Sequence, residues 1–225
     1  MWTARRKKII MNITQKIYAI GINPEELNLN NVEVVPDLNS DLSGAEILFV
    51  FSEQNFNLND TIKAALKAKE AGILTIGIAP RGIPLNFRKA VDAFILTDDL
   101  KSTVEFARAI SSLLTSDGFV NLDLEDLKAF LSGAGKIKAA YSSASTPDRV
   151  ERVTDEVLSK LDISEAKKIL LSVTSGTNIT LQEMYQATQK IENASNNSDD
   201  VLLIWGHVID EKADEHFLSM ALMAI

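Results

Sequence analysis

Gly118-Phe119-Val120-Asn121-Leu122-Asp123-Leu124-Glu125-Asp126-Leu127-Lys128-Ala129-Phe130-Leu131 divides this chain into two differently patterned halves. Asp123 stands where a helix N-cap would, with Glu125 and Asp126 in the first turn, where the helix dipole favours acids. On residue chemistry alone the acids read as an ordinary helix start. What lies on either side of them decides the fold.

Toward the N-terminus, short β-branched runs alternate with helical patterns. Residues 16–22, 32–35, 45–51, 73–79 and 93–96 read as strands, and the unbroken apolar run 45–51 is typical of a parallel strand buried on both faces. Asp60 or Asn59 is the expected cap of a helix with Ile62, Ala65 and Leu66 inside, the Lys69 stem at its edge and Gly72 at its end. A short helix is expected over 86–91. Strand–helix alternation with short connections predicts a doubly wound α/β unit, a Rossmann-like parallel sheet. A long helix then runs from Asp98 to Ser116. Its apolar residues Val104, Phe106, Ala107, Ile110, Leu113 and Leu114 spread round more than one face, so it is expected between layers.

Toward the C-terminus the pattern becomes α+β. A short helix from Asp123, a strand over 136–143 and a helix entered at Pro147 come first, the helix lined by Val150, Val153, Val157 and Leu161. A strand over 168–173, a helix over 180–192 and strands over 201–209 and 216–224 follow, the last two joined by the polar turn 210–215. Thr177 or Asn178 is the expected cap of the last helix, toward Glu183. The domains read as a basic, flexible leader over 1–15, with Met11 as a possible start; a reduced Rossmann-like domain over 16–97; a central helix over 98–117; and an α+β domain over 118–225.

Composition narrows the function. The 225 residues carry a net charge of −8 and no cysteine. Phosphate contacts need clustered Lys and Arg, so nucleic acid is not expected as a partner. No apolar run reaches the length of a membrane span and no signal-peptide pattern is present, so the expected location is the cytoplasm. His207 and His216 fall on separate predicted strands, and no metal site is expected. No nucleophile motif is present. Phe49, Phe51, Phe94 and Phe106 read as core.

The stretch from Gly118 to Gly135 resembles the catalytic loop and following helix of the FtsZ/tubulin family. Ser175-Gly176-Thr177-Asn178-Ile179-Thr180-Leu181-Gln182-Glu183 is similar to that family's turn into its last helix, and Trp205-Gly206-His207-Val208-Ile209-Asp210-Glu211 to its penultimate strand and turn. Ala68-Lys69-Glu70-Ala71-Gly72-Ile73-Leu74-Thr75-Ile76 resembles the phrase that carries one helix into the next strand. The resemblance runs over about 45–225 with these motifs in order. It implies an FtsZ/tubulin-like fold in which Asn121, Asp123 and Asp126 act on GTP held by the neighbouring subunit, polarising a water against its γ-phosphate.

The sequence departs from the family where the family grips its own nucleotide. The slot after the 45–51 strand is glycine-rich in the family, because backbone N–H groups must close on phosphate. Here it reads Ser52-Glu53-Gln54-Asn55-Phe56-Asn57-Leu58-Asn59-Asp60, without a glycine. The resemblance places a degenerate cofactor-binding loop at Ser52, Glu53, Asn55 and Asn57, and no cofactor contact is expected from it. The loop at Gly21-Ile22-Asn23-Pro24-Glu25-Glu26 adds one glycine, a proline without an N–H and two acids. The family's guanine-reading Asp falls on Lys101, and segments before residue 45 and around 84–98 are shortened. No cofactor is therefore expected, with GTP and Mg²⁺ as the alternative.

Three readings follow. The first is a degenerate FtsZ-like pseudo-GTPase that assembles with, caps or regulates FtsZ-family filaments, or copies of itself. The second is a divergent GTPase that self-assembles; the third is a nucleotide-free homo-oligomer or small-molecule-binding module. The sequence ends without an acidic or proline-rich tail, so partner recruitment through a tail peptide is not expected.

Overall fold

Apolar β-branched runs form the first five strands, β1 (Ile17–Ile20), β2 (Val32–Val34), β3 (Ile47–Val50), β4 (Leu74–Pro80) and β5 (Ala93–Thr97). The computed structural model describes residues 16–225 except 30, 38, 54, 81, 117, 132 and 196–200. The leader expected over 1–15 lies outside the described residues. All five strands run parallel in the order β2-β1-β3-β4-β5. Every residue of β3 is buried. Because side chains alternate along a strand, Ile47 and Phe49 enter one core layer while Leu48 and Val50 enter the opposite one.

Two helices, α2 (Leu58–Glu70) and α3 (Leu85–Ala90), cover one face; α1 (Pro24–Leu27) and α4 (Leu100–Thr115) serve the other. The α2 N-cap is Asn57, not Asn59 or Asp60: its Oδ1 accepts the Asn59 N–H at 3.0 Å. Three cap-competent residues within four positions could not be separated by composition. Leu66, expected inside, is 42% exposed, because the smaller Ala64, Ala65 and Ala68 form the contact stripe. Asp99 caps α4 in a reciprocal box with Ser102. That helix packs on strands of both halves of the molecule, as the spread of its apolar residues predicts.

The second half adds α5 (Leu124–Leu131), β6 (Gly135–Ala144), α6 (Arg149–Lys160), β7 (Lys168–Ser175), α7 (Leu181–Asn193), β8 (Leu202–Ile209) and β9 (Leu218–Ala224). β6 continues the parallel sheet beside β5 and pairs antiparallel with β9, so nine strands form one sheet ordered β2-β1-β3-β4-β5-β6-β9-β7-β8. Consecutive in sequence, β8 and β9 are separated by β7. His216 lies in the turn before β9 rather than on it. Thr180, not Thr177 or Asn178, caps α7: its Oγ1 accepts the Glu183 N–H and the Glu183 carboxylate accepts the Thr180 N–H. Phe49, Phe51, Phe94 and Phe106 are all buried.

Candidate functional site

Between β1 and β3 the order of the parallel strands reverses, and such a reversal opens a crevice at the carboxyl ends of the strands. Here the two loops beyond those ends close on each other. Phe51 donates its N–H to the Ile20 carbonyl at 2.9 Å, and Glu53 donates to the Gly21 carbonyl at 3.1 Å. Gly21 has φ +80°, and a Cβ there would lie 2.4 Å from the Phe51 carbonyl oxygen, so only glycine permits this approach.

The residues Ser52, Glu53, Asn55 and Asn57 of the glycine-free loop each have a defined place. The Glu53 carboxylate accepts the Asn23 N–H at 2.8 Å, at the start of α1. Asn55 reaches the other Glu53 oxygen at 3.5 Å, and Asn57 caps α2. The Ser52 hydroxyl oxygen is buried and, among the described residues, has no partner. Burial and the neighbouring Glu53 charge raise the pKa of Glu26 above the ordinary carboxylate value. Beside this seam lies a cavity of about 320 Å³, apolar along Ile22, Phe51, Pro80 and Leu100 and polar at Ser52 and Glu53. A phosphate brought here would meet two carboxylates and find the Asn23 N–H already taken.

The 121–126 loop is built differently. Asn121 Oδ1 accepts the Gly118 N–H at 3.0 Å. Asp123 and Asp126 form a reciprocal cap: Asp123 Oδ1 accepts the Asp126 N–H at 2.9 Å, and Asp126 Oδ2 accepts the Asp123 N–H at 3.1 Å. The second oxygen of each carboxylate is left out of the cap. Asn121 and Asp123 are exposed and Asp126 is half-buried. This geometry satisfies the helix start while presenting acidic oxygens outward.

The two sets of residues lie at opposite ends of α4. Leu100, its first residue, lines the crevice, and the 118–123 segment follows its last turn. Sixteen helical residues span about 24 Å. One chain does not bring the crevice and the 121–126 loop together.

Sequence reasoning weighed His207 only as a metal ligand and as part of the 205–211 resemblance. The residue is fully buried on β8, accepting the Phe119 N–H at Nδ1 (3.3 Å) and meeting Ser175 Oγ at Nε2 (2.9 Å). Burial lowers its pKa to about 4. Its one sequence signal was the preceding Gly206, where a Cβ would fall 2.5 Å from Leu113.

The chain is thus a nine-stranded, mostly parallel α/β sheet crossed by a long helix, with an acidic loop at one end of that helix and a crevice at the other. Residues 132–224 match the FtsZ family, C-terminal domain. The cell division protein FtsZ of Rickettsia bellii is 33% identical over 113 residues, 48% of this chain and 24% of that protein. FtsZ of Methanothermobacter thermautotrophicus is 24% identical over 174 residues, 72% of this chain and 43% of that protein. The fold superposes on an empty FtsZ dimer from M. jannaschii with TM-score 0.73 at 14% identity, covering 93% of this chain and 88% of that one. The C-terminal part of the chain is thus similar to the FtsZ C-terminal domain, and the chain as a whole shares the FtsZ fold. It spans less than half the length of these two curated relatives. Among the described residues no helix is long and apolar enough to cross a membrane.

Proposed function

We propose that this chain is a degenerate FtsZ-like protein of the cell-division cytoskeleton, working in the cytoplasm, that caps or regulates filaments and does not hydrolyse GTP by itself. The observation that carries the reading is the contrast between the two ends of α4. At one end the chain's own Glu53 carboxylate takes a backbone donor that an anion would need. At the other, Asp123 and Asp126 keep an outward-facing cap. A subunit built this way docks its 121–126 face on a nucleotide-bearing neighbour, where the free carboxylate oxygens reach a phosphate-bound water. It then offers the next subunit no nucleotide in return. Growth stops at that end.

The test is equilibrium binding of fluorescent GTP and GDP with Mg²⁺ at low and high protein concentration, followed by co-sedimentation with GTP-bound FtsZ filaments. No saturable nucleotide binding, with filament capture at one subunit per end, is the expected result. Micromolar nucleotide affinity, or turnover rising steeply with protein concentration, would overturn it in favour of a self-assembling GTPase. The cavity beside Ser52 favours a second reading, a small-molecule-binding module, which saturable binding of an uncharged apolar compound without filament capture would support.

A further inference from the structure

We infer that His207 is the positioning residue of the 118–126 loop, fixing through Phe119 the direction in which Asn121 and Asp123 are presented.

The hydrogen-bond directions admit one tautomer. The Ser175 hydroxyl donates to the Gly176 carbonyl at 2.8 Å, so its oxygen must receive from His207. His207 Nε2 therefore carries the proton and donates at 2.9 Å. Nδ1 is left with a lone pair, which accepts the Phe119 N–H. A neutral imidazole is the one side chain that offers an acceptor and a donor on opposite sides of a rigid ring. Burial lowers its pKa, which favours the uncharged ring that these bonds require.

The same residue holds three consecutive loop positions. Gly118 packs so closely that a Cβ would sit 1.5 Å from the His207 carbonyl oxygen. Phe119 stacks its ring on the imidazole, centroids 4.7 Å apart and planes 26° from parallel, although Phe119 itself is 42% exposed. Val120 accepts the His207 backbone N–H at 2.9 Å. Next door, a Cβ on Gly206 would press to 3.1 Å from Leu122, so the missing side chain lets Leu122 sit against β8. With 118–120 and Leu122 held, Asn121 and Asp123 are the positions left facing out.

That the presented direction governs docking rests on the proposed function; that His207 sets it does not. Two variants of the full chain separate the halves of the imidazole. In His207→Asn the amide oxygen stands near Nδ1 and keeps an acceptor for Phe119, while in His207→Gln the amide nitrogen stands near Nε2 and keeps a donor for Ser175. Hydrogen exchange at Phe119, Leu122 and Asp123 is expected to stay near wild type in His207→Asn and to rise about tenfold in His207→Gln, the loss of one hydrogen bond. Nitrogen NMR of the wild-type ring is expected to show Nε2 protonated and Nδ1 bare. Equal exchange in the two variants, or an Nδ1–H tautomer, would overturn the inference. If neither variant folds, Ser175→Ala decides: without the acceptor that fixes the proton on Nε2 the ring can adopt the Nδ1–H tautomer, which has no lone pair for Phe119, so exchange at Phe119 is expected to rise, and unchanged exchange would sink the idea. Filament capture by the same proteins reads the docking step separately. If the wild type captures nothing, the proposed function fails while the exchange result stands.

Discussion

The Glu53 carboxylate lies 2.8 Å from the backbone nitrogen of Asn23, thirty positions earlier on the adjoining loop, and accepts its N–H. The contact joins the loops beyond β1 and β3 from within. It places a carboxylate in the crevice at the carboxyl ends of the strands, beside a second one on Glu26.

Removing that charge is expected to loosen the seam without creating a nucleotide site. Glu53→Ala should lose about 1 kcal/mol of stability in urea unfolding, the net worth of one hydrogen bond. Fluorescent GTP should still show no saturable binding, since the 52–60 slot still lacks a glycine. Tight GTP binding by the variant would mean that Glu53 alone had closed the crevice.

Asp123 permits a clean separation of cap from chemistry. Asn caps a helix about as well as Asp, so Asp123→Asn should remain within about 0.5 kcal/mol of wild type, whereas Asp123→Ala should lose about 1 kcal/mol. Both are expected to lose any stimulation of GTP turnover in a partner filament. If Asp123→Asn behaves as wild type in that assay, the acids serve only as a cap.

His207 makes stability depend on pH in a defined direction. Its folded pKa of about 4 lies below the ordinary value of 6.5, so the unfolded chain takes up a proton that the folded one refuses. Stability is then full above about pH 6.5 and falls as pH drops toward 4, by at most about 3 kcal/mol. Asp99 is held below the ordinary carboxylate range by the Ser102 N–H and hydroxyl, so its share is lost only below that window. Urea midpoints from pH 7.5 to 4.5 should therefore fall for wild type and stay flatter for His207→Asn.

Arg149 is 3% exposed, donates to the Asn178 carbonyl and lies 3.7 Å from Glu183, tying the start of α6 to the start of α7. Arg149→Met leaves a carbonyl and a carboxylate without their cation. The expected cost is about 3 kcal/mol, read from the denaturation midpoint.

Gly118→Ala forces a Cβ to 1.5 Å from the His207 carbonyl and must move the loop. A loss of about 3 kcal/mol is expected. Gly72→Ala, where a Cβ meets nothing within 4 Å but φ is +79°, should cost only about 1 kcal/mol. Comparable melting temperatures for the two variants would show that the loop does not pack on β8 as described.

Much of the fold was legible in local pattern. The β3 run reads as a strand buried on both faces because every one of its residues is apolar. The α4 pattern reads as a helix between layers because its apolar residues occupy more than one face. Helix caps were harder: Asn57, Asn59 and Asp60 all qualify by chemistry, and only the path of the chain into α2 selects the first. The same holds at α7, where Thr180 prevails over Thr177 and Asn178 because its side chain meets the N–H of Glu183.

By itself the sequence determined the parallel strands, the long helix, the acids at the start of α5 and the lack of glycine between 52 and 60. Each is a matter of side-chain period or backbone freedom within a few residues. Tertiary structure alone decided that β9 inserts between β6 and β7, that Glu53 turns back onto Asn23 and that His207 holds the loop carrying Asn121 and Asp123. Those contacts join residues 30 to 88 positions apart, and their geometry depends on how whole elements stack. No local pattern of polarity encodes it.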